Sequence, residues 1–341
     1  MTPRLEISFP AKQQWQFLYG KPYLPQENEF LLNHSRSGIV LALRALGLAV
    51  GSRVGMMVYN CHTVMNAVTE AGMTPVFIDI NEEMKIDIDD LKRKSSNIQA
   101  LVVTHLFGIR NSISTIRTIL PAIPVIEDCA HAYGYTDYKG DFLTFSIGQG
   151  KLPSIGDGGI LVVNNNQYLH KVSELYHSLP DYTFFQNTKL YLSLLLKSIL
   201  NKPLLYKHVT LPLKKYRSVQ LGKMHIKMYK MSNRISAIYA TAYKSIDELI
   251  RKRNKVAKNM AEMLEKMDGV EKIMYGENAF MLVVICENPI ALQKELLSRG
   301  VDSATHFAQS ISWAKGFGYQ AGSCRSAEHL VQKLLMLPIY K

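Results

Sequence analysis

An α/β chain on a mainly parallel sheet, followed by a smaller α+β unit, is the fold the sequence predicts, and three patterns carry that expectation. Between 53 and 163, short apolar runs that are nearly continuous rather than alternating are separated by helix-period stretches. From 233 to 267 the chain reads as one long amphipathic helix. Beyond it come a single apolar run and two further helical patterns, which suits a small unit. Strands buried on both faces lose the alternation of a half-exposed strand, and crossovers between parallel strands need helices.

In chain order, "HSRSGIVLALRALGL" (34–48) sets a turn bearing serine and glycine ahead of a strongly helical pattern. The free N–H groups of a helix start can hold an anion, although an ordinary N-cap serine is the plainer reading. The strand candidates are "RVGMMVY" (53–59), "PVFIDI" (75–80), "ALVVTHLF" (100–107), "PVIEDCA" (124–130), "FLTFSI" (142–147) and "GILVV" (159–163). Amphipathic stretches such as "VMNAVTEAG" and "ISTIRTIL" lie between them. In such sheets ligands bind beyond the carboxyl ends of the strands. His105, Asp128, Ser146 and Lys151 fall at or just after those ends and are expected on one rim. Later, "AFMLVVIC" (279–286) reads as a strand, and "NPIALQKELLSRG" (288–300) and "SAEHLVQKLLML" (326–337) as helices. The expected division is 1–232 for the large domain and 233–341 for the small one, hinged on the long helix.

Composition bounds the function. Hydrophobic content of 47% and charged content of 20% over 341 residues are ordinary for a globular protein. Four scattered cysteines with no CxxC pair argue against a zinc site or a disulfide framework and lead us to expect a reducing cytoplasm. No signal-peptide core is expected at the N-terminus, and no run reaches the roughly 18 apolar residues of a membrane span. The net charge of +12 is uneven: 181–230 carries ten basic residues and one acid, hence +9 of it. Such a local field favours an anionic partner. With no recognisable module and few interleaved aromatics, nucleic acid ranks low among the partners.

One lysine stands out. In "TFSIGQGKLPSIGDGG" (144–159), Lys151 lies among glycines between two apolar runs. A phosphate-cradling nucleotide loop needs a glycine five residues before "GK" and a Ser or Thr after it. Phe145 and Leu152 stand there instead, which excludes it.

"VIEDCAHAYG" followed by "LTFSIGQGKLPSIGDGG" resembles the DegT/DnrJ/StrS sugar aminotransferases. "GMTPVFIDI", "VVTHLFG", "MYKMSNRISAIYAT", "GVDSATHF" and "LPIY" extend the likeness over nearly the whole chain. The resemblance implies the aspartate-aminotransferase-like architecture, fold type I, and pyridoxal 5'-phosphate (PLP) as cofactor. It implies that Lys151 forms the Schiff base with the cofactor aldehyde and then serves as general base. It further implies that Asp128 pairs with the pyridinium nitrogen and that His131, where the family usually has Gln, bonds the phenolic oxygen. Ser146 and the backbone N–H groups of Arg36 and Ser37 would take the phosphate, and His306 would lie near substrate. An amino donor, by resemblance glutamate, a keto acceptor on a nucleotide-linked sugar, and a homodimer with shared sites complete the expectation.

Departures from the family pattern are specific. The aromatic ring that stacks on the cofactor falls at Cys61, leaving His62 as a substitute. Met228 replaces the asparagine that reaches a neighbouring subunit's phosphate, and "SRSG" replaces "SGT". The family's sugar dehydratases carry His where Lys151 stands, which argues against that branch. A catalytically idle homologue, serving as a regulatory or binding subunit, is the competing reading. Within the basic insertion, "LYLSLLLKSIL" (190–200) resembles an interfacial helix. An anionic membrane surface, the approach of an anionic substrate, or the partner subunit are its candidate neighbours.

Overall fold

The computed structural model describes residues 3, 7–214 and 224–339. Helix α1 (Ala11–Tyr19) and strand β1 (Glu29–Leu32) lead into α2 (Ser35–Ala45), β2 (Arg53–Met57), α3 (His62–Glu70), β3 (Thr74–Ile78), α4 (Ile88–Lys94), β4 (Ala100–Thr104), α5 (Ile113–Ile119), β5 (Val125–Asp128), β6 (Phe142–Ser146) and β7 (Gly159–Val163). These seven strands form one sheet in the order β1-β7-β6-β5-β4-β2-β3. Pairings from β3 through β6 are parallel, while β7 runs antiparallel to both β6 and β1. All five residues of β4 are buried, which is why its run of Ala, Leu and Val shows no alternation. Short polar caps start the crossover helices: the Asp87 carboxylate accepts from the Asp90 N–H, and the Ser112 hydroxyl from the Thr115 N–H.

Because the path from β3 to β4 crosses over β2, the strand order reverses between β2 and β4. That is where an open α/β sheet leaves a crevice beyond its carboxyl ends. The segments leaving β2, β4, β5 and β6 supply Asn60, Thr104, Asp128 and Ser146 to one place.

Helix α6 (Leu169–His177) follows β7, and α7 (Phe184–Leu200), α8 (Pro203–Leu205) and, after a π-helical turn at Tyr206–Thr210, α9 (Leu211–Lys214) belong to the basic insertion. Lys215, Arg217 and Lys223 of that insertion lie outside the described residues. Helices α10 (Asn233–Ala242) and α11 (Ile246–Leu264) come next, so the single long helix expected from 233 to 267 is two. A 3-10 turn at Tyr243–Ser245 separates them. The break lets Tyr239 and Tyr243 pack with Tyr23 in one core while Ala257 and Leu264 join another.

Strands β8 (Val270–Met274) and β9 (Met281–Cys286), helices α12 (Pro289–Ser298), α13 (Ser310–Lys315) and α14 (Arg325–Leu330), and strand β10 (Leu334–Pro338) finish the described chain. The second sheet has the order β10-β9-β8, antiparallel throughout. The expected helix over 326–337 therefore stops near Leu330, and its apolar tail is a strand. A run of Leu, Leu, Met and Leu has no period of its own, and its neighbours decide: β9 on one side and a bridge from Ala304 to Met336 on the other.

Candidate active site

A cavity of about 580 Å³ opens at the crevice. Lys151, Asp128, His131, Ser146, Arg36, Cys61 and His306 all line it. Ser37 and His62, both expected at the cofactor, are not among its lining residues. The Ser37 hydroxyl donates to Asn33 Oδ1 at 2.8 Å and its N–H to the His34 carbonyl, because it already sits inside the first turn of α2. The His62 ring turns away to meet Trp313 edge-on, 5.2 Å between centroids.

Asp128 ends β5, and its carboxylate is held from two sides. Oδ1 accepts from the Ala130 N–H at 3.1 Å, and Oδ2 from the Thr104 hydroxyl at 3.0 Å. Asn60 in turn donates its amide to Thr104 Oγ1 at 2.8 Å, so one chain of bonds fixes the carboxylate from β2 through β4 to β5. Burial raises the Asp128 pKa, while the Ala130 N–H, the charge of Lys151 and the Thr104 bond oppose that rise. Burial likewise lowers the Lys151 pKa, against the pull of Cys61 and Asp128. A lysine amine so depressed is a nucleophile and base closer to neutral pH. Its Nζ stands 5.6 Å from the centre of the Phe280 ring.

His131 is set by a contact that no sequence pattern announces. The Phe107 N–H donates to His131 Nδ1 at 3.1 Å. A backbone amide can only donate, so Nδ1 is an acceptor and the proton of the neutral ring resides on Nε2. Burial drives the His131 pKa well below its ordinary value, and Lys151 and His306 push it the same way. The ring stacks on Phe280, 4.4 Å between centroids, and on Phe107, at 5.6 Å. Phe107 and Phe307 both line the cavity in left-handed backbone conformations, φ 55° and 57°. Non-glycine residues held there are strained, and such strain gathers at functional sites.

The glycines near Lys151 serve close packing. A Cβ on Gly159 would lie 2.2 Å from the backbone N of Ser35, so glycine lets β7 meet the start of α2. A Cβ on Gly156 would lie 2.2 Å from Leu194 Cδ2, so glycine lets α7 descend onto this loop. Leu190, Ser193, Leu194 and Lys197 of α7, spaced one to two turns apart, thereby roof the cavity. Ser35, absent from the expected set, is the informative addition. Its Oγ is buried without a hydrogen-bond partner among the described residues, at the start of a helix and on the cavity wall. Beside it, His34 Nδ1 pairs with Asp157 Oδ1 at 3.1 Å, and the Tyr182 hydroxyl donates to Asp157 Oδ2 at 3.1 Å.

His105, expected on the rim, lies behind it. It is fully buried and absent from the lining; its Nδ1 accepts from the Asn111 N–H at 3.1 Å and its Nε2 bonds Glu127 Oε2 at 2.8 Å. Glu127 Oε1 accepts from the Lys139 and Gly140 N–H groups. Ligand atoms of His105, Glu127 and Cys129 lie within 4.8 Å of one another, but these bonds already occupy the imidazole and the carboxylate. The cluster is a strut beneath Asp128.

A lysine and a carboxylate facing one cavity at the carboxyl edge of a parallel sheet, with an anion-ready helix start beside them, define the class of PLP enzymes with fold type I. The chain belongs to the DegT/DnrJ/EryC1/StrS aminotransferase family, whose sequence model matches residues 23–341. It is similar to the GDP-perosamine synthase of Escherichia coli O157:H7, 33% identical over 135 residues, a stretch covering 37% of each chain. The GDP-perosamine synthase of Vibrio cholerae is 27% identical over 163 residues, 45% of this chain and 44% of that one. The match thus spans less than half the length of either relative. Among solved structures, the aminotransferase TlmJ from Streptoalloteichus hindustanus superposes with a TM-score of 0.76 at 17% identity, covering 99% of this chain and 93% of that one.

PLP is the family's cofactor, and the residues present fit it. The partnerless Ser35 hydroxyl at the start of α2 suits a phosphate, and the depressed Lys151 amine and doubly held Asp128 suit its aldehyde and its ring nitrogen. Among the described residues no helix is long and apolar enough to cross a membrane.

Proposed function

We propose that the protein is an aminotransferase that moves an amino group from an amino acid, by our reading glutamate, to a keto group on a nucleotide-linked sugar. The observation that carries this is the convergence of Lys151, Asp128 and His131 on one cavity whose phosphate end is marked by Ser35. Bound there, the cofactor supplies an electron sink beside the substrate's α-carbon. Ser35, Ser146 and the N–H of Arg36 would hold its phosphate, Asp128 its ring nitrogen, and the Nε2–H of His131 its phenolic oxygen. Lys151 Nζ would move the proton between the substrate α-carbon and C4′ of the cofactor, a role its lowered pKa suits. Phe280, Phe307 and His306 wall the other side and exclude water.

That wall comes from the C-terminal part of the chain, so the reading divides the molecule into 1–232, which holds the cofactor, and 233–341, which closes over it. The acceptor class draws support from the relatives named GDP-perosamine synthase. Four unpaired cysteines fit work in the reducing cytoplasm, and a homodimer with shared sites belongs to the same reading. The cationic insertion favours an anionic partner.

The test is direct. Holoenzyme should show a visible cofactor absorption that glutamate bleaches and a keto sugar nucleotide restores. Lys151→Ala should lose that absorption and at least about 10²-fold in rate. Borohydride reduction followed by peptide mapping that leaves Lys151 unlabelled would overturn the reading.

A further inference from the structure

The face of α7 turned away from the cavity is more apolar than a solvated helix face should be. Helical spacing puts Phe185, Leu192, Leu196 and Ile199 together on that side, opposite buried Leu194. Phe185 is 76% exposed, Leu192 57%, Leu196 58% and Ile199 41%. Phe184 at its start and Leu204 just beyond its end are exposed too, at 89% and 72%. A contiguous apolar face of this kind, rimmed by polar residues, marks an interaction surface.

Charge decides what covers them. From 184 to 214 the sequence holds five lysines and no acid. Lys189, Lys202 and Lys207 are all exposed, so the segment presents positive charge alongside its apolar residues. A second copy of the chain meeting this face about a two-fold axis would bring one positively charged patch against another. An anionic bilayer would instead neutralise the lysines and accept the leucines and phenylalanines below them. With 17 residues α7 is about 26 Å long and interrupted by lysine, so it lies along a surface and does not cross it.

We propose that α7 docks the protein on anionic lipid, with Phe185, Leu192, Leu196 and Ile199 in the interface and Lys189, Lys202 and Lys207 on the headgroups. This gives the anionic partner of the proposed function a chemical identity, yet it stands on the outer face of α7 alone and not on the chemistry of the cavity. Because the inner stripe of the same helix roofs that cavity, docking holds the site within about one helix diameter, roughly 10 Å, of the membrane surface.

The experiment is co-sedimentation of the full-length holoenzyme with vesicles of phosphatidylcholine alone and of phosphatidylcholine with phosphatidylglycerol. The protein should pellet with the anionic vesicles only, and high salt should release it. The double variant Leu192→Glu/Leu196→Glu should stay in the supernatant while retaining its PLP absorption. Each of Lys189→Gln, Lys202→Gln and Lys207→Gln should weaken binding on the order of fivefold. Equal recovery with both vesicle types, or pelleting unchanged in the double variant, overturns the proposal. So does a double variant that turns a dimer into a monomer when the wild type ignores lipid, because the face then belongs to a second copy. A failure of Lys151 to take up cofactor would leave these lipid results unaffected, so the two readings fail separately.

Discussion

At the residue scale, the site rests on side chains whose protonation is set by burial and by one-way hydrogen bonds. His131 is the clearest case, and it yields a pH prediction. Its folded-state pKa lies well below 6.5, so below pH 6.5 the unfolded chain takes up a proton that the folded chain refuses. The stability from keeping this ring neutral is complete above that pH and is lost as the pH falls towards the depressed value, by up to about 1.4 kcal/mol per pH unit. Gln can accept the Phe107 N–H and still donate from its amide, but it does not titrate. His131→Gln in the cofactor-free protein should therefore make unfolding free energy fall less steeply between about pH 5 and 7, by one proton. Urea titrations of both proteins across that range would show it, and parallel slopes would remove His131 from the account. The sequence singled out Lys151, Asp128, His131 and Ser146 because they lie within 24 positions on one motif, and all four line the cavity. Ser35 was not singled out beside Arg36 and Ser37, because which N–H and hydroxyl groups of a helix start are consumed by its own first turn is decided by geometry.

At the element scale, α7 joins site and surface, and its beginning is secured locally. The Thr183 hydroxyl accepts from the Gln186 N–H at 3.2 Å, and Gln186 Oε1 accepts from the Thr183 N–H at 2.8 Å, a reciprocal capping box. Thr183→Ala should cost about 1 kcal/mol locally, so amides in the first turn of α7 should exchange roughly fivefold faster while the sheet is unchanged. Hydrogen-exchange mass spectrometry on peptides covering 183–190 reads this out. Uniform acceleration across the whole chain would mean that α7 opens only with the global fold. The elements misread from sequence share a cause. In both 233–267 and 326–337 the local pattern is consistent with helix, and the correct boundary depends on partners distant in sequence: Tyr23 for the first, and β9 with Ala304 for the second.

At the scale of the whole molecule, the cavity is walled by both sheets' surroundings, so ligand binding should tie them together. PLP at about 100 times its dissociation constant should stabilise the native state by about 2.7 kcal/mol. Calorimetry should show a single transition moving upward, with Phe280 and Phe307 carrying the C-terminal part along. Two transitions of which only one moves would mean that the C-terminal part does not close on the cofactor. By itself the sequence determined the α/β class, the parallel core, the motif that carries lysine and aspartate, and the concentration of charge in 181–230, because near-continuous apolar runs, spacing and charge are properties of neighbours along the chain. Only the tertiary structure decided that Ser35 and not Ser37 opens onto the cavity, that Phe107 fixes the His131 proton on Nε2, and that α7 turns Ser193 and Lys197 inward and Leu192 and Leu196 outward. Each of those depends on groups brought together from distant positions, and a backbone amide that can only donate or a glycine that admits a neighbouring helix acts only once the chain has folded.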